Sequence, residues 1–330
     1  MIQAVLYGAG DLRLEQRPLD PSALQPGEVY VETEVSAFST GTDLGNYEGR
    51  STEVPGAPPY PRWVGYSNVG VVKAVGAGAA VEPGTRVFAG KPHQSAYIAG
   101  PGDMLVPVPE GVSPEQASLS YLTHLGVAAL RHVRYEPGES VAVVGLGVIG
   151  LATAAIARSM GAQVWAVANS ERRAEAAARV GAHRTVVVGR DPLPSGIDVV
   201  VLTANTWSAW RNSMEMARLL GRVAVLGFPG RAQQPPDFNP LDPKWLYGKQ
   251  LTITGSGLAS RLECPPSDIR FNVRRGLEFV LAQMASGAIH LEPVITHRFP
   301  ALRMKEAYDL AASHSKELMG AVFDWRGVEA

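Results

Sequence analysis

The sequence predicts an α/β protein in which a doubly wound, parallel six-stranded sheet accompanies a region rich in short β-strands. Up to about residue 115, short alternating runs are separated by Gly, Pro and Asp turns, a pattern typical of β-structure. Ser113, Pro114 and Gln116 then fit the N-cap, N1-proline and capping-box positions of a helix. Beyond them, strands alternate with helical segments, which indicates a parallel sheet. Its six strands are predicted near residues 141–144, 164–168, 185–188, 198–202, 222–227 and 250–255.

The length of the chain predicts two domains. Its 330 residues exceed the usual size of one domain. Strand-like runs at His290–Phe299 and Ala321–Trp325 indicate that the tail rejoins the β-rich first region. We therefore assign residues 1–121 and 263–330 to one domain and residues 122–262 to the other.

Composition excludes several classes of partner. The chain is 46% hydrophobic and 18% charged with a formal net charge of −1, so it has no overall basic field that would attract nucleic acid or anionic lipid. No apolar run reaches the roughly 18 residues that span a bilayer, and the N-terminus enters a strand pattern without a leader sequence. The one cysteine, Cys264, excludes an internal disulfide framework. We expect a cytoplasmic protein without nucleic-acid or membrane partners.

A glycine-rich turn indicates a dinucleotide site. Val141–Val144 is suited to a buried parallel strand, and Gly145, Gly147 and Gly150 follow with G-x-G-x-x-G spacing. The first glycine permits the tight turn, the second lets a pyrophosphate approach the backbone, and the third lets the helix pack on the strand. Helix amides and the helix dipole then face the anion. The predicted cofactor contacts at this turn are Gly145, Leu146, Gly147, Val148 and Ile149.

The end of the second strand favours NADP(H) over NAD(H). NAD-preferring folds usually carry Asp or Glu there, roughly 20 residues after the first glycine. This chain has Asn169 and Ser170 instead, followed by Arg172 and Arg173, which could bind a 2′-phosphate. The alternative is that both arginines are merely solvated on the first turn of a helix. Residues that follow other strands are predicted at the nicotinamide end: Thr203, Asn205, Gly227, Phe228 and Ser256.

The chain resembles the medium-chain dehydrogenase/reductase family over almost its whole length. The matching segments include AVLYGAGDLRLEQRP, LQPGEVYVETEVSAFSTGTDL, VGYSNVGVVKAVGAG, PGTRVFA, VPVPEGVSPEQASL and PGESVAVVGLGVIGLATAAIARSMGA. RVFAGKPHQSAYI and the late GSGLAS, ITHRFP and EAYDLAA segments are most similar to the branch of the bacteriochlorophyllide hydroxyethyl dehydrogenases. The resemblance implies a GroES-like catalytic domain, a Rossmann nucleotide domain and NAD(P)-dependent dehydrogenase or reductase activity. It also implies a homodimer, since the strand at Leu251–Gly255 would be an open sheet edge that a second copy can pair.

Residues at the family's catalytic zinc positions depart from its pattern. Zinc members hold the metal with a cysteine before a Gly-Ser/Thr-Asp triplet, a Gly-His-Glu motif and a third Cys or Glu. The corresponding residues here are Thr40, then Tyr66 and Ser67, and then Ser120 or Tyr121. Zinc prefers thiolate, imidazole and carboxylate ligands, so we predict no catalytic zinc.

The structural zinc of the family is also predicted to be absent. Its lobe requires four cysteines, and the segment between Phe88 and Val106 has none. A residual metal site of His93, His124 and Asp43 is a minor alternative, because metal sites usually show clearer ligand spacing.

Without zinc, another group must stabilise the negative charge that hydride transfer places on a carbonyl oxygen. Tyr66 stands at the position of the family's zinc histidine, and its phenol is suited to donate a proton. The alternative is a core ring with a satisfied hydroxyl. By resemblance, Thr42 matches a residue that relays a proton, and Asp43 matches one that braces the metal site and here would brace Tyr66.

Two histidines are further candidates. His93 is the second acid–base candidate, because imidazole exchanges protons at neutral pH. His124 either faces the substrate or packs as a core histidine. The predicted substrate pocket consists of Thr40, Tyr66, His93 and His124.

These features predict an NADP(H)-dependent, zinc-independent oxidoreductase that interconverts a secondary alcohol and a ketone on a small metabolite. Two alternatives remain open. One is reduction of an activated C=C bond, as zinc-free enoyl and quinone reductases of the family perform. The other is an NADPH-binding protein without turnover.

Overall fold

The computed structural model describes residues 1–50, 58–231, 233–256 and 272–329. The chain forms two compact units, which we call unit 1 (Met1–Tyr121 and Ile295–Ala330) and unit 2 (Leu122–Val294). Cys264 lies outside the described residues.

The elements up to the middle of the chain are β1 (Ile2–Gly8), β2 (Asp11–Gln16), β3 (Val29–Phe38), α1 (Thr42–Tyr47), β4 (Arg62–Trp63), β5 (Asn68–Val75), β6 (Arg86–Ala89), β7 (Ala96–Ala99), β8 (Leu105–Pro107), α2 (Pro114–Ser118) and α3 (Ser120–His132). They continue with β9 (Ser140–Val144), α4 (Val148–Ser159), β10 (Gln163–Ala168), α5 (Glu171–Arg179), β11 (Arg184–Val187), β12 (Ile197–Leu202), α6 (Trp207–Met216), β13 (Ala217–Val225), β14 (Thr252–Gly255) and α7 (Val273–Ala285). The last are β15 (His297–Pro300), α8 (Met304–Ala312) and β16 (Ala321–Asp324). Short 3-10 turns cover Pro21–Ala23, Glu292–Val294 and Ala301–Arg303, and a π-helical turn covers Lys244–Gly248.

Unit 1 contains two sheets among its described residues. One has the order β2-β1-β4, and the other has the order β15-β16-β3-β5-β6-β8, with β7 also paired to β3. The tail strand β16 pairs antiparallel with β3, so that Ala321 lies opposite Phe38. Aromatic rings of both segments form the core here: Phe38 contacts Tyr308 and Phe323 at centroid distances of 4.6 and 5.9 Å. The C-terminal tail thus packs with the N-terminal region.

Unit 2 is built on a parallel sheet of six strands in the order β11-β10-β9-β12-β13-β14. In chain order within the sheet this is 3-2-1-4-5-6, the arrangement of a doubly wound dinucleotide fold. Val143 at the centre of β9 is level with Ala166 on β10 and Val201 on β12, and all three are buried. The reversal of strand order beside β9 places the turn after β9 at the edge where such sheets bind ligands. The predicted fold class is confirmed.

The boundary between the units differs from the predicted one after β14. The sequence placed the return to the first domain at residue 263, whereas the structure places it at Ile295. The cause is α7, which buries one face within unit 2: Gly276 lies against His124, and Arg131 lies over the Phe279 ring at 5.6 Å. The strand expected over His290–Phe299 is reduced to β15, which begins at His297.

None of the helices in the described ranges is both long and apolar enough to cross a membrane.

Candidate active site

The glycine turn after β9 brings strand and helix into close contact. Gly145 has a φ of +94°, and a Cβ there would lie 2.7 Å from the Ala204 nitrogen. A Cβ on Gly150 would lie only 1.8 Å from the Gly145 carbonyl oxygen. Thr203 Oγ1 donates to that same oxygen at 2.6 Å and fixes the turn. Two glycines are therefore required by the protein's own packing.

Gly147 differs from Gly145 and Gly150 because the space that a side chain would occupy is open. Among the described residues, no atom lies within 4 Å of a Cβ built on it, and its φ of −82° suits any residue. It is the N-cap of the twelve-residue α4, whose first amides have no intrahelical partner. Leu146 and Val148 are buried and Ile149 is half-buried, so these residues offer mainly their backbone. An open glycine before a helix N-terminus fits the pyrophosphate of a dinucleotide.

The end of β10 carries the residues predicted to select the cofactor. Asn169 and Arg172 are exposed, and Ser170 is the N-cap of α5 without a side-chain cap bond in the described structure. Arg173 is half-buried and donates to the Leu146 carbonyl at 2.5 Å. Burial lowers the pKa of its guanidinium below the ordinary value. Arg173 is thus held by the glycine turn, a role that the sequence did not indicate.

Most of the residues predicted at the nicotinamide end contact other groups of the protein. Asn205 Oδ1 accepts from the Phe228 amide at 2.8 Å, and the Ser256 hydroxyl is 3.1 Å from His132 Nδ1. A Cβ on Gly227 would lie 2.6 Å from the Ala204 carbonyl oxygen. Phe228 keeps 52% of its surface exposed. Of this predicted group, Phe228 is the residue whose side chain is most accessible to a ligand.

In unit 1, hydroxyl groups converge on Tyr66. Its phenol donates to Ser39 Oγ at 2.8 Å, and Thr42 also hydrogen-bonds it. The Tyr121 ring lies edge-on at 5.4 Å. Thr40 is half-buried and adjoins Ser39 in the chain, whereas Thr42 is exposed. Sequence reasoning missed Ser39, whose only signal was its position before the Thr40–Asp43 segment.

Tyr66 is held in its protonated form. Burial raises the pKa of its phenol well above the ordinary value, and the nearby Asp43 carboxylate raises it further. The hydroxyls of Ser39 and Thr42 partly offset this because they stabilise the phenolate. At neutral pH the group is therefore a proton donor with two hydroxyls ready to stabilise the charge left behind.

Asp43 and His93 lie beneath this cluster. Asp43 is 1% exposed, and its carboxylate accepts from the amides of Ser39 at 2.9 Å and Gly65 at 3.1 Å. It therefore braces the residue before Tyr66 rather than the phenol itself. His93 is fully buried, with Nε2 3.6 Å from Asp43 Oδ2. This burial argues against the predicted roles of His93 as a substrate-facing acid–base group and pocket residue.

His124 is a core residue of unit 2. It is 2% exposed, and Gly276 approaches so closely that a Cβ there would lie 2.1 Å from His124 Nδ1. Burial, with lesser contributions from Arg131 and His132, lowers its pKa from 6.5 to about 4. Of the two predicted alternatives, the structure favours core packing over a place in the substrate pocket.

This buried histidine predicts acid sensitivity of unit 2. The pKa is depressed in the folded protein, so stability is complete above about pH 6.5 and is lost as pH falls from there to about 4, because only the unfolded chain binds the proton. The loss is about 3 kcal/mol. Urea denaturation at pH 7 and pH 4 measures it. Between these two pH values, the free energy of unfolding should fall by about 3 kcal/mol more in the natural chain than in His124→Gln. Equal losses in the two proteins would contradict the assignment of the acid sensitivity to His124.

The residues at the family's zinc positions do not fit the metal. Tyr66 bonds to Ser39, and Ser67 Oγ donates to the Ser118 carbonyl at 2.5 Å. In the described ranges, no three His, Cys, Asp or Glu side chains are grouped so that they could hold a metal. Of the residual set considered above, His93 and Asp43 lie together in unit 1, while His124 belongs to the core of unit 2.

The chain has sequence relatives among sugar, polyol and amino-acid dehydrogenases. A family model described as zinc-binding dehydrogenase matches residues 148–272, which all belong to unit 2. L-galactonate-5-dehydrogenase of Escherichia coli K12 is 29% identical over 69% of this chain and 64% of its own length. L-threonine 3-dehydrogenase of Anaeromyxobacter sp. is 27% identical over 81% of this chain and 83% of its own length.

Solved structures share the fold. Galactitol-1-phosphate dehydrogenase from Escherichia coli has a TM-score of 0.81 at 18% identity and covers 98% of this chain and 100% of its own. An alcohol dehydrogenase of E. coli CFT073 complexed with NADH has a TM-score of 0.78 at 20% identity, with 98% and 99% covered. A zinc-binding dehydrogenase from Sinorhizobium meliloti 1021 bound to NADP has 0.75 at 20%, with 98% of each chain covered.

The doubly wound sheet with its glycine turn, together with the β-rich unit, defines an NAD(P)-dependent oxidoreductase of the alcohol dehydrogenase type. A zinc-binding dehydrogenase family model matches within unit 2, and the relatives and solved structures that cover most of the chain are dehydrogenases, as the resemblance to the medium-chain dehydrogenase/reductase family implies. The predicted resemblance and enzyme class are confirmed.

Proposed function

We propose that this protein is an NADP(H)-dependent, zinc-independent oxidoreductase that interconverts a secondary alcohol and a ketone on a small metabolite. The observation that carries the proposal is the Tyr66 phenol, protonated and hydrogen-bonded to two hydroxyls, at the position of the family's zinc histidine. A phenol in this state supplies the hydrogen-bond donor that a carbonyl oxygen requires during hydride transfer.

The residues of unit 1 provide the proton chemistry. Bound NADPH would supply the hydride. When substrate binds, the single hydrogen of the Tyr66 phenol turns from Ser39 Oγ to the carbonyl oxygen, and the phenol transfers this proton as negative charge develops there. Ser39 and Thr42 stabilise the phenolate that remains. Because Thr42 is exposed, its hydroxyl connects the pair to solvent, from which the phenol regains a proton.

Alcohol and ketone substrates are favoured by the relatives. The names of two of them designate dehydrogenases of L-galactonate and L-threonine, and a structural neighbour is named for galactitol 1-phosphate. Each is a small polar molecule with a hydroxyl group to be oxidised. We therefore place C=O chemistry ahead of C=C reduction for this chain.

The preference for NADP(H) rests on the end of β10. Neighbouring structures hold either NADH or NADP, so the fold alone permits both. Here Asn169 replaces the carboxylate that would repel a 2′-phosphate, with the Ser170 hydroxyl and the exposed Arg172 beside it. Arg172→Ala should weaken NADPH binding about tenfold and leave NADH binding unchanged. Arg179→Ala, on the same helix, is the matched control. Calorimetric Kd values that rise equally for NADPH and NADH in Arg172→Ala would refute the preference.

One assay separates the proposal from its alternatives. NADPH oxidation is followed with a panel of small ketones and a panel of enones, and the protein is analysed for metal. Turnover of ketones without stoichiometric zinc supports the proposal. Turnover of enones alone supports C=C reduction, and tight NADPH binding without turnover of either panel supports the non-catalytic alternative.

We also propose a homodimer formed through the edge of the unit 2 sheet. Within the described residues β14 pairs only with β13. Leu219, Leu220 and Tyr247 near this edge are 58%, 56% and 85% exposed. Pairing of two such edges about a twofold axis would cover both. Light scattering should give twice 35.1 kDa, and a mass of 35.1 kDa at micromolar concentration would oppose the proposal.

A further inference from the structure

A buried chain of polar groups leads from the C-terminal tail to the Tyr66 cluster. Trp325 Nε1 donates to Ser36 Oγ at 2.9 Å, and Ser36 Oγ lies 2.8 Å from His93 Nδ1. His93 Nε2 faces Asp43 Oδ2 at 3.6 Å, with no hydrogen-bond partner among the described residues. Ser36 and His93 are fully buried, and Trp325 and Asp43 are 1% exposed. Three segments distant in sequence thus meet in one network.

The donors and acceptors of this chain determine the tautomer of His93. An indole N–H only donates, so Ser36 Oγ accepts from Trp325 and keeps its own hydrogen for His93 Nδ1. A ring that accepts at Nδ1 carries its proton on Nε2. That N–H then points at the Asp43 carboxylate. The opposite tautomer would place a lone pair against a buried carboxylate and leave the Ser36 hydrogen unused.

The position of the ring is fixed from several sides. The His93 amide donates to the Val64 carbonyl at 2.8 Å, and the His93 carbonyl accepts from Ala4 at 2.9 Å. Phe323 packs edge-on at 4.9 Å. Gly65 lies so close to the ring that a Cβ on it would be 2.6 Å away, and its φ is +86°. Because the His93 ring is fixed in this way, its Nε2–H can restrain the Asp43 carboxylate.

Asp43 connects this ring to both members of the Tyr66–Ser39 hydrogen bond. One carboxylate oxygen accepts from the Ser39 amide, and the other accepts from the amide of Gly65, the residue before Tyr66. A shift of the carboxylate would therefore move both Tyr66, the donor, and Ser39, the acceptor, and would change the geometry of their 2.8 Å hydrogen bond.

We propose that His93 is a positioning residue, whose Nε2 proton holds the Asp43 carboxylate against the Ser39 and Gly65 amides and thereby sets the geometry of the Tyr66–Ser39 hydrogen bond. Its relevance to turnover rests on the proposed function, in which Tyr66 is the acid. The orientation of the phenol is a structural property that can be measured without turnover.

The test compares two replacements of the ring. His93→Gln retains both functions, since a glutamine oxygen can accept from Ser36 while its amide donates to Asp43. His93→Phe keeps a ring of similar shape without polar atoms. The readouts are the Cζ resonance of Tyr66, with ¹³C-labelled tyrosine and Tyr66→Phe for assignment, and kcat and KM for a ketone substrate.

We expect His93→Phe to shift the Tyr66 resonance and lower kcat about tenfold with KM changed less than about twofold. His93→Gln should leave the Tyr66 resonance close to its position in the natural protein and kcat within about threefold of the natural value. A Tyr66 resonance and kcat that His93→Phe leaves unchanged, or equal effects of both variants in folded protein, would overturn the proposal.

Ser36→Ala provides a second test that does not depend on folding of His93→Phe. It removes one small hydroxyl and releases Nδ1, so the Tyr66 resonance should shift in the same direction by a smaller amount. An unchanged resonance in Ser36→Ala opposes the proposal. If the natural protein turns over no ketone, the proposed function fails, while the resonance comparison still decides the role of His93.

Discussion

Gly147→Ala is expected to weaken NADPH binding more than tenfold while leaving the stability of the protein unchanged. A methyl group at this position meets no described atom within 4 Å, and the backbone conformation accepts alanine. The methyl group would instead fill the space before the N-terminus of α4, where the pyrophosphate must approach the amides. Fluorescence titration with NADPH and thermal denaturation of the free protein measure the two effects separately.

Gly150→Ala is the matched comparison, with the opposite result for stability. Its methyl group would lie 1.8 Å from the Gly145 carbonyl oxygen, so strand and helix must separate. The free energy of unfolding should fall by about 3 kcal/mol or more. A normal NADPH affinity in Gly147→Ala would show that the nucleotide does not bind at this turn, and equal destabilisation by both substitutions would show that the open space is not a ligand site.

The contrast between these two glycines shows what the sequence can predict. The strand, turn and helix of 141–162 are adjacent in the chain, so spacing and β-branched runs suffice to locate them. All six strands of the parallel sheet were found for the same reason, with ends that differ by a few residues. Spacing could not distinguish the glycine required by packing from the glycine left open, because that difference lies in contacts with Gly145 and Thr203.

The contacts of unit 1 were less predictable from the sequence because they join segments that are far apart in the chain. Tyr66, Thr42 and Asp43 could be proposed from the family pattern, but Ser36 and Trp325 carry no local signal of their contact. They meet only when the tail strand β16 pairs with β3. His93 illustrates the limit well: its residue type indicated acid–base chemistry, while its burial depends on four segments that pack around it.

The end of β10 shows a similar limit to what the sequence can predict about a binding site. Two neighbouring arginines at a helix start were predicted to act together on a phosphate. In the structure Arg173 binds the Leu146 carbonyl, and Glu171 pairs with Arg190 from the loop after β11. Of the two arginines, Arg172 is the exposed one, and the proposed 2′-phosphate site uses it.

Tyr66→Phe is expected to lower kcat for ketone reduction more than tenfold with the Kd of NADPH unchanged. The substitution removes only the hydroxyl, so the ring keeps its edge contact with Tyr121. General acids contribute about 10²- to 10⁴-fold to rate, and water can replace part of that. Tyr97→Phe in the same unit is the control, because the buried Tyr97 hydroxyl has no hydrogen-bond partner in the described structure. Steady-state kinetics of both variants should separate them by at least tenfold, and an unchanged kcat in Tyr66→Phe would assign the proton to another group or to water.

The pH dependence of the natural protein gives an independent check on the same phenol. Reduction requires protonated Tyr66, and the pKa of the phenol is raised by burial and by Asp43, so kcat for reduction should stay flat from about pH 6 to 10. Alcohol oxidation requires the deprotonated phenol, and its kcat/KM should rise throughout that range without a plateau. An imidazole donor would instead make reduction fall as pH rises through about 6.5. Burial and the Asp43 carboxylate raise the pKa of Tyr66 by more than the Ser39 and Thr42 hydroxyls lower it. A plateau in oxidation near neutral pH would therefore exclude Tyr66 as the group that exchanges the proton.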